Sequence, residues 1–284
     1  MPAVAPPDAS FNFALHLIER NAARPGKVAF IDDHGSLTYG ELAERIRRFG
    51  AALRASGLRR EERVLLLMHD CNHWPVAFLG ALYAGVIPVA VNTLLPAADY
   101  AYMLAHSRAQ AALVSAALLP TLQAAMAQVR HEVNTVIVAD SNGALPAHAQ
   151  DFDAFVASHA PMAGAAATSA DDMAFWLYSS GSTGRPKGAV HSHANAYYTA
   201  ELYGTASLGV RTSDICFSAA KLFFAYGLGN SLSFPLSVGA TTLLMAERPT
   251  PEAVFKRWIE HRPTLFFGAP TGFAGMLASP KLPA

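Results

Sequence analysis

The residue types best suited to chemistry are concentrated in residues 178–188, which contain three glycines, four serine or threonine hydroxyls and one lysine. Glycines let the backbone fold tightly, so that successive amides can point into one concavity and hold an anion. The hydroxyls add donors, and Lys187 adds a mobile positive charge suited to phosphate oxygens. The segment is therefore interpreted as a polyphosphate-binding loop.

Three other interpretations of this loop are weaker. A Walker A loop needs Gly-Lys-Ser/Thr at its end, whereas Gly184 is followed by Arg-Pro-Lys. A flexible linker rarely follows directly on an apolar strand or ends in Pro-Lys-Gly. A serine nucleophile lacks its Gly-x-Ser-x-Gly elbow here. An amidase-type hydrolase using Ser180 or Ser182 stays open as an alternative, although no activating lysine can be placed.

Strands and helices are predicted to alternate around the loop. This alternation is typical of βαβ units, and it predicts an α/β fold with mostly parallel sheets flanked by helices. Thr38 and Glu41 have the spacing of a capping box, which places the start of one helix there. The predicted strands are residues 27–31, 64–68, 86–91, 111–114, 135–138, 173–178, 241–245 and 265–267. The further predicted helices are residues 74–84, 97–106, 118–129, 152–158 and 251–259.

The composition excludes several classes of protein. The chain has 284 residues, 52% of them hydrophobic, with 21 basic and 21 acidic side chains. This apolar content excludes intrinsic disorder, and the balanced charge argues against general nucleic-acid binding. Residues 71–98 and 222–246 carry no Asp, Glu, Lys or Arg and are long enough to cross a bilayer. Their glycine and proline interruptions favour buried helices and strands instead, so no membrane span is expected.

The cysteines and histidines give little sign of metal binding. Cys71 and Cys216 are the only cysteines, which excludes a disulfide framework and favours a reducing, cytoplasmic location. Residues 1–8 lack the basic and apolar regions of a signal peptide. His191 and His193 form a His-x-His pair, but two histidines without further ligands at suitable spacing carry little weight. No metal ligand is therefore predicted.

Residues 179–188 resemble the phosphate-binding signature of the adenylate-forming superfamily, which includes acyl- and aryl-CoA ligases, peptide-synthetase adenylation domains and luciferases. Residues 37–42 (Leu-Thr-Tyr-Gly-Glu-Leu) and 82–89 (Leu-Tyr-Ala-Gly-Val-Ile-Pro-Val) are similar to two more of its elements, in the expected order. The resemblance covers nearly the whole chain. It implies that the ATP phosphates are bound by Ser179, Ser180, Gly181, Ser182, Thr183, Gly184 and Lys187.

Residues 221–230 lie where the superfamily places its acyl-site element, and they are closely similar to that segment of benzoate-CoA ligases. Phe224 takes the position of a gating aromatic that is often histidine, which is a departure from the pattern. The resemblance implies that Ala225, Tyr226 and Gly227 line the acyl pocket with Phe224. Small side chains would leave room for a flat ring, and the aromatic ones would offer faces to it. A role of these aromatics as plain core stays open.

The resemblance implies two half-reactions. An aryl carboxylate, benzoate in the leading interpretation, attacks the α-phosphorus of ATP with its Mg²⁺ and releases pyrophosphate. The thiol of coenzyme A then attacks the acyl-AMP and releases AMP. Thr183 and Lys187 are the implied catalytic residues, acting by positioning phosphates and neutralising their charge. A ligase for another aryl or acyl acid, and a non-catalytic nucleotide-binding module, remain alternatives.

The resemblance also implies a division of the chain. Residues 1–284 would form an incomplete N-terminal core domain, which is the first part of the superfamily's large domain. The C-terminal lid domain would be absent. A first α/β subdomain is expected at about residues 62–165, and a second, truncated one at about residues 11–61 plus 171–284. Because later superfamily motifs do not follow, the chain alone is expected to be inactive. The sequence does not fix the oligomeric state, and a homodimer stays open.

Overall fold

Strands and helices alternate along most of the chain in the computed structural model, which describes residues 4–179 and 184–283. The strands are β1 (Val28–Asp32), β2 (Gly35–Thr38), β3 (Arg63–Leu67), β4 (Ile87–Ala90), β5 (Ala111–Ser115), β6 (Thr135–Ala139), β7 (Ala149–Asp151), β8 (Met173–Ser179), β9 (Lys187–Ser192), β10 (Ile215–Ser218), β11 (Thr241–Leu243) and β12 (Leu265–Phe267). The helices are α1 (Phe13–Arg20), α2 (Tyr39–Ala55), α3 (His73–Tyr83), α4 (Ala97–Ser107), α5 (Leu119–Met126), α6 (Phe152–Ala157), α7 (His193–Thr199), α8 (Ala225–Leu228), α9 (Phe234–Val238), α10 (Pro251–His261) and α11 (Pro270–Leu277). Two π-helical segments, Ala200–Thr205 and Gly229–Ser233, follow α7 and α8.

The larger sheet has seven strands in the order β7-β6-β5-β3-β4-β8-β9. All of its pairs are parallel except β8 with β9, which form an antiparallel pair at one edge. The central strands β4 and β5 are buried along their whole length, as expected when helices cover both faces of a parallel sheet. The predicted α/β class is confirmed.

The smaller sheet has five strands in the order β12-β10-β11-β1-β2. Its pairs are parallel except β1 with β2, which are joined by a tight turn. The predicted strands at residues 27–31, 241–245 and 265–267 all belong to this sheet, with small shifts at their ends. The strand β2 is not among the strands predicted from the sequence.

The helices α2 and α3 lie in the main hydrophobic core. The capping box predicted at the start of α2 is present, since the Thr38 side chain accepts from the Glu41 amide and the Glu41 carboxylate accepts from the Thr38 amide. In α3 every residue from 74 to 83 is buried, so this apolar stretch is a core helix. Within residues 4–179 and 184–283, no helix combines the length and the apolar character that crossing a membrane requires.

The strands that border the glycine-rich loop belong to the larger sheet, because β8 pairs in parallel with β4, and β9 pairs with β8. The division into two α/β subdomains, at about residues 62–165 and at about residues 11–61 plus 171–284, stays a prediction.

Candidate active site

The predicted phosphate loop connects β8 to β9 at the edge of the larger sheet. In the antiparallel register Ser179 lies opposite Lys187, and Tyr178 lies opposite Gly188. The loop is thus closed at its base by backbone pairing. Four of the residues assigned to phosphate binding, namely Ser180, Gly181, Ser182 and Thr183, lie outside the described residues, so their assignment stays a prediction.

The described end of the loop has the backbone that its sequence requires. Gly184 has a φ of +84°, a conformation that L-amino acids other than glycine rarely adopt. Within residues 4–179 and 184–283, no atom lies within 4 Å of the position that a Cβ would take there, so the positive φ is the reason for a glycine at this position. Lys187 begins β9 with an exposed side chain.

The helix α4 supports both strands that border the loop. The Tyr178 hydroxyl lies 2.7 Å from Nδ1 of His106, and the His106 ring stacks on Tyr102 at 5.3 Å. The Arg185 guanidinium lies 5.7 Å above the centre of the Tyr102 ring, within range of a cation–π contact. Residues on both sides of the loop are therefore held by one face of one helix.

A cavity of about 770 Å³ lies beside the loop. Such a volume is within the ~300–1,000 Å³ typical of small-molecule sites. It joins the base of the loop to the predicted acyl segment, because Ser179, Gly184, Phe224 and Ala225 all line it. Its other lining residues are Asn92, Leu95, Asp99, Met103, Leu177, Tyr178, Pro186, Ala189, His191 and Phe223.

The four residues assigned to the acyl pocket separate in the structure. Phe224, with 46% of its surface exposed, and Ala225 line the large cavity. Tyr226 lines a different cavity of about 440 Å³ near β12 and α11. Gly227 is buried against the carbonyl oxygen of Lys221, which would lie only 2.0 Å from a Cβ at that position. The structure therefore brings together Phe224 and Ala225 at one cavity. Contact of Tyr226 and Gly227 with the substrate stays a prediction.

A small apolar cavity of about 90 Å³ adjoins the large one. The two share Leu177, His191 and Ala225, so these three side chains stand between them. The other lining residues of the small cavity include aromatic side chains and part of the π-helical segment Gly229–Ser233. π-Helical turns often occur at functional sites, where they alter the path of a helix.

The acyl segment is tied to the larger sheet by a buried carboxylate. The amide of Leu222 donates to both carboxylate oxygens of Asp70, at 3.2 and 3.3 Å. Burial raises the pKa of Asp70 to about 6, although the nearby Lys221 ammonium opposes the shift. Lys221 in turn donates to the carbonyls of Met245 and, at 2.6 Å, Glu247. The backbone just before Phe224 is therefore fixed from both sheets.

The two histidines of the His-x-His pair have separate surroundings. His191 stacks on Phe175 at 4.7 Å and faces the cavities, and burial lowers its pKa. His193 accepts a hydrogen bond on Nδ1 from the Phe13 amide at 3.1 Å. Burial lowers the pKa of His193 to about 4, so it is neutral at pH 7. His191 can contact a ligand, whereas His193 joins α7 to α1.

Several cavity residues were not predicted from the sequence. Asn92 follows β4, Leu177 lies on β8 and His191 on β9, and these strands are neighbours in the sheet. Alternation within β8 and β9 places Leu177 and Ala189 opposite each other. Residues 187–192 show no apolar alternation, so the position of His191 beside the cavity follows only from the pairing of β9 with β8.

Comparison with known proteins assigns the chain to a family. Residues 17–284 match the family described as AMP-binding enzyme. The chain belongs to this family. The resemblance to the adenylate-forming superfamily is thereby confirmed for the chain as a whole.

The relatives within the family include aryl-CoA ligases. The benzoate–CoA ligase of Thauera aromatica is 50% identical over 99% of this chain and 53% of its own length. A 4-hydroxybenzoate–CoA/benzoate–CoA ligase of Rhodopseudomonas palustris is 42% identical over 95% of this chain and 50% of its own length. The chain thus spans about half the length of the curated relatives it matches.

Solved structures agree with this relationship. A benzoate CoA ligase from Burkholderia xenovorans superposes with a TM-score of 0.89 at 56% identity, covering 96% of this chain and 53% of that chain. An anthranilate CoA ligase solved with anthranoyl-AMP superposes with a TM-score of 0.93 at 32% identity, covering 97% and 53%. The arrangement of the two sheets is therefore that of the N-terminal region of adenylate-forming enzymes.

Proposed function

We propose that this chain provides the aryl-acid and ATP-phosphate sites of a CoA ligase that converts benzoate into benzoyl-AMP and then benzoyl-CoA. One observation carries the proposal. The base of the phosphate loop and the acyl segment line a single cavity, so that a carboxylate and a triphosphate can meet there. The identity to ligases named for benzoate supports the choice of acid.

The proposed position of the aromatic ring follows from the small apolar cavity. The ring enters beside Ala225, with Leu177 and His191 on either side of the opening. A cavity of about 150 Å³ is known to take benzene, so the 90 Å³ cavity needs space from its opening to hold the ring. The carboxylate then remains in the large cavity, directed towards the loop.

The proposed position of the phosphates follows from the loop. Backbone amides of residues 181–184 and the Thr183 hydroxyl hold the β- and γ-phosphates, and the exposed Lys187 ammonium approaches them from the start of β9. Mg²⁺ arrives with ATP and neutralises phosphate charge when bound. The protein contributes positioning and charge stabilisation of the departing pyrophosphate.

The proposed chemistry needs no covalent enzyme intermediate. A carboxylate oxygen forms a bond to the α-phosphorus while the bond to pyrophosphate breaks. The thiolate of coenzyme A then bonds to the acyl carbon, AMP leaves, and the thiol proton passes to solvent. This sequence is compatible with a loop that lacks a nucleophile elbow.

The proposal is tested by benzoate-dependent exchange of labelled pyrophosphate into ATP. The assay uses the 284-residue chain and also a chimera in which the remaining half of the Thauera aromatica relative follows Ala284. The chimera is expected to exchange only when benzoate is present, and Lys187→Ala is expected to lower that exchange at limiting ATP. Exchange that does not depend on an added acid, or a folded chimera that binds ATP without any exchange, would contradict the proposal.

The nature of the acid is tested in the same assay. Benzoate, 3- and 4-hydroxybenzoate, anthranilate and a fatty acid are compared by kcat/KM. Benzoate is expected to lead, because the small cavity has a mainly apolar lining and its volume of about 90 Å³ leaves no room for a long chain. A preference for a hydroxylated or long-chain acid would keep the ligase reaction and replace the proposed substrate.

A further inference from the structure

A cysteine, a histidine and an aspartate meet outside the cavity described above, where β3, β5 and β6 end. Cys71 lies in the turn after β3, His73 is the first residue of α3, and Asp140 directly follows β6. One potential ligand atom from each of the three lies within 4.8 Å of the others. No other such group occurs in residues 4–179 and 184–283.

The environment of His73 resembles that of a metal-ligating histidine. Its Nδ1 atom lies 3.2 Å from an oxygen of Asp140, and its Nε2 atom lies 3.4 Å from an oxygen of Asp153. Ligating histidines commonly present one nitrogen to the metal and the other to an outer carboxylate. Nδ1 is buried and has no hydrogen-bond partner of good geometry among the described residues. A cation between Nδ1 and the Asp140 carboxylate would satisfy both groups.

The other ligands are also favourably placed. Cys71 is only 3% exposed, so its sulfur is sheltered from exchange and oxidation. Asp140 has a φ of +57°, which is the left-handed backbone conformation that residues other than glycine adopt less often. Such residues are often found at functional sites.

The group differs from a simple patch of acidic side chains. The nearby Asp32 already accepts from the amides of His34 and Gly35 at 2.9 Å. Asp33 is paired with Arg257 at 2.6 Å. Among the described residues Asp140 is paired with no Lys or Arg side chain, and its contact is with the His73 imidazole.

A cavity of about 290 Å³ adjoins the group and is lined by both Cys71 and Asp140. Three protein ligands with an open fourth side are typical of zinc sites that keep a water or another ligand. In a tetrahedral site with bonds of ~2.0–2.3 Å, the ligand atoms are about 3.4–3.8 Å apart. The present spacing reaches that value with small side-chain movements.

We propose that Cys71, His73 and Asp140 form a Zn²⁺ site, with Asp153 orienting His73 from outside it. Thiolate, imidazole and carboxylate together favour Zn²⁺ over Mg²⁺, because Mg²⁺ prefers oxygen ligands alone. The site does not depend on the proposed ligase reaction. Its location, at the carboxyl ends of parallel strands, is where open α/β sheets commonly place ligands.

The test is a titration of the metal-free chain with Zn²⁺ in competition with a chromophoric chelator, followed by a parallel titration with Co²⁺. One equivalent of each ion is expected to bind, and bound Co²⁺ is expected to show a thiolate charge-transfer band. Cys71→Ala is expected to abolish the band, and Asp140→Asn to weaken binding, since asparagine also tolerates a positive φ. Asp153→Asn is expected to weaken Zn²⁺ binding about 10- to 100-fold.

Cys216→Ala is the matched control, because Cys216 is the other buried cysteine and lies on β10. This variant is expected to bind Zn²⁺ as the unaltered chain does. Absence of saturable binding, or equal binding by Cys71→Ala, would overturn the proposal. If Cys71→Ala fails to fold, Asp140→Asn decides, and unchanged affinity in that variant also overturns it. Competition by Mg²⁺ at equal concentration would indicate an oxygen-ligand site and contradict the proposal.

Discussion

The Tyr178 hydroxyl and Nδ1 of His106 lie 2.7 Å apart, which joins the last part of β8 to α4 just before the phosphate loop. Burial raises the pKa of Tyr178, so the hydroxyl stays protonated at neutral pH. The contact therefore restrains the end of the strand from which the loop begins.

Tyr178→Phe removes this hydrogen bond while keeping the ring. The free energy of unfolding is expected to fall by about 1 kcal/mol, the typical net contribution of such a bond. A double-mutant cycle with His106→Phe, which preserves a ring against Tyr102, is expected to give a coupling energy of similar size. Both are measured by chemical denaturation. Additive effects of the two changes would show that the hydrogen bond contributes nothing.

Gly227→Ala places a methyl group where the Lys221 carbonyl oxygen lies, at 2.0 Å. The acyl segment would have to move, so the free energy of unfolding is expected to fall by about 3 kcal/mol. Gly272→Ala is the control, because that glycine lies in α11 and has no atom within 4 Å of a Cβ position. The control is expected to be neutral or to stabilise by up to about 1 kcal/mol. Equal denaturation midpoints for both variants would refute the close contact.

Ala225→Val narrows the opening between the two cavities. If the ring of the acid passes this side chain, kcat/KM for benzoate is expected to fall about 10- to 200-fold in the chimera, while KM for ATP changes little. Ala160→Val makes the same chemical change at an exposed coil position and is expected to leave both constants unaltered. Normal benzoate kinetics in the Ala225→Val chimera would place the ring elsewhere.

Asp70→Asn tests the buried carboxylate that receives the Leu222 amide. The pKa of Asp70 in the folded chain is raised to about 6, so the folded state holds its proton more tightly than the unfolded state. Its contribution to stability is fully present below pH ~4 and is lost as pH rises through 6, amounting to roughly 3 kcal/mol. Asparagine retains the acceptor oxygen and does not titrate.

The measurement is the free energy of unfolding of both proteins between pH 4 and 8. The difference between them is expected to change by up to about 1.4 kcal/mol per pH unit below pH 6 and to level off above it. Other groups, such as His193, cancel in the difference. Two parallel curves would mean that Asp70 titrates in the folded chain as it does in water.

Most of the larger sheet could be predicted from the sequence, because short apolar runs mark its central strands. The Thr38–Glu41 box likewise marks the start of α2. The strand β9 could not be predicted, because it follows a glycine-rich loop, half of its residues are exposed, and it lacks an apolar alternation. The position of β9 depends on its pairing with β8, and the types of residues 187–192 do not indicate that partner.

Some residues of the candidate site could be predicted from the sequence, and others could not. Phe224 and Ala225 were named because residues 221–230 resemble a known element, and both line the cavity. Gly227 had been expected to make room for a ring, whereas its nearest neighbour is the Lys221 carbonyl. The group of Cys71, His73 and Asp140 escaped prediction because Asp140 reaches it from β6, and sequence spacing does not indicate which strand ends converge.

The strand β1 lies between β11 and β2 in the smaller sheet, and this position has a consequence for synthesis. Phe30 pairs with Thr242, so β1 leaves the ribosome long before its parallel partner exists. At ~5–20 residues per second, β1 and β2 wait roughly 10–40 s as an isolated hairpin with an unpaired apolar edge. The strands β3 to β7, by contrast, form from neighbouring segments of the chain. The larger sheet can therefore fold during translation, while the smaller one closes last and is the part most exposed to aggregation and chaperone binding.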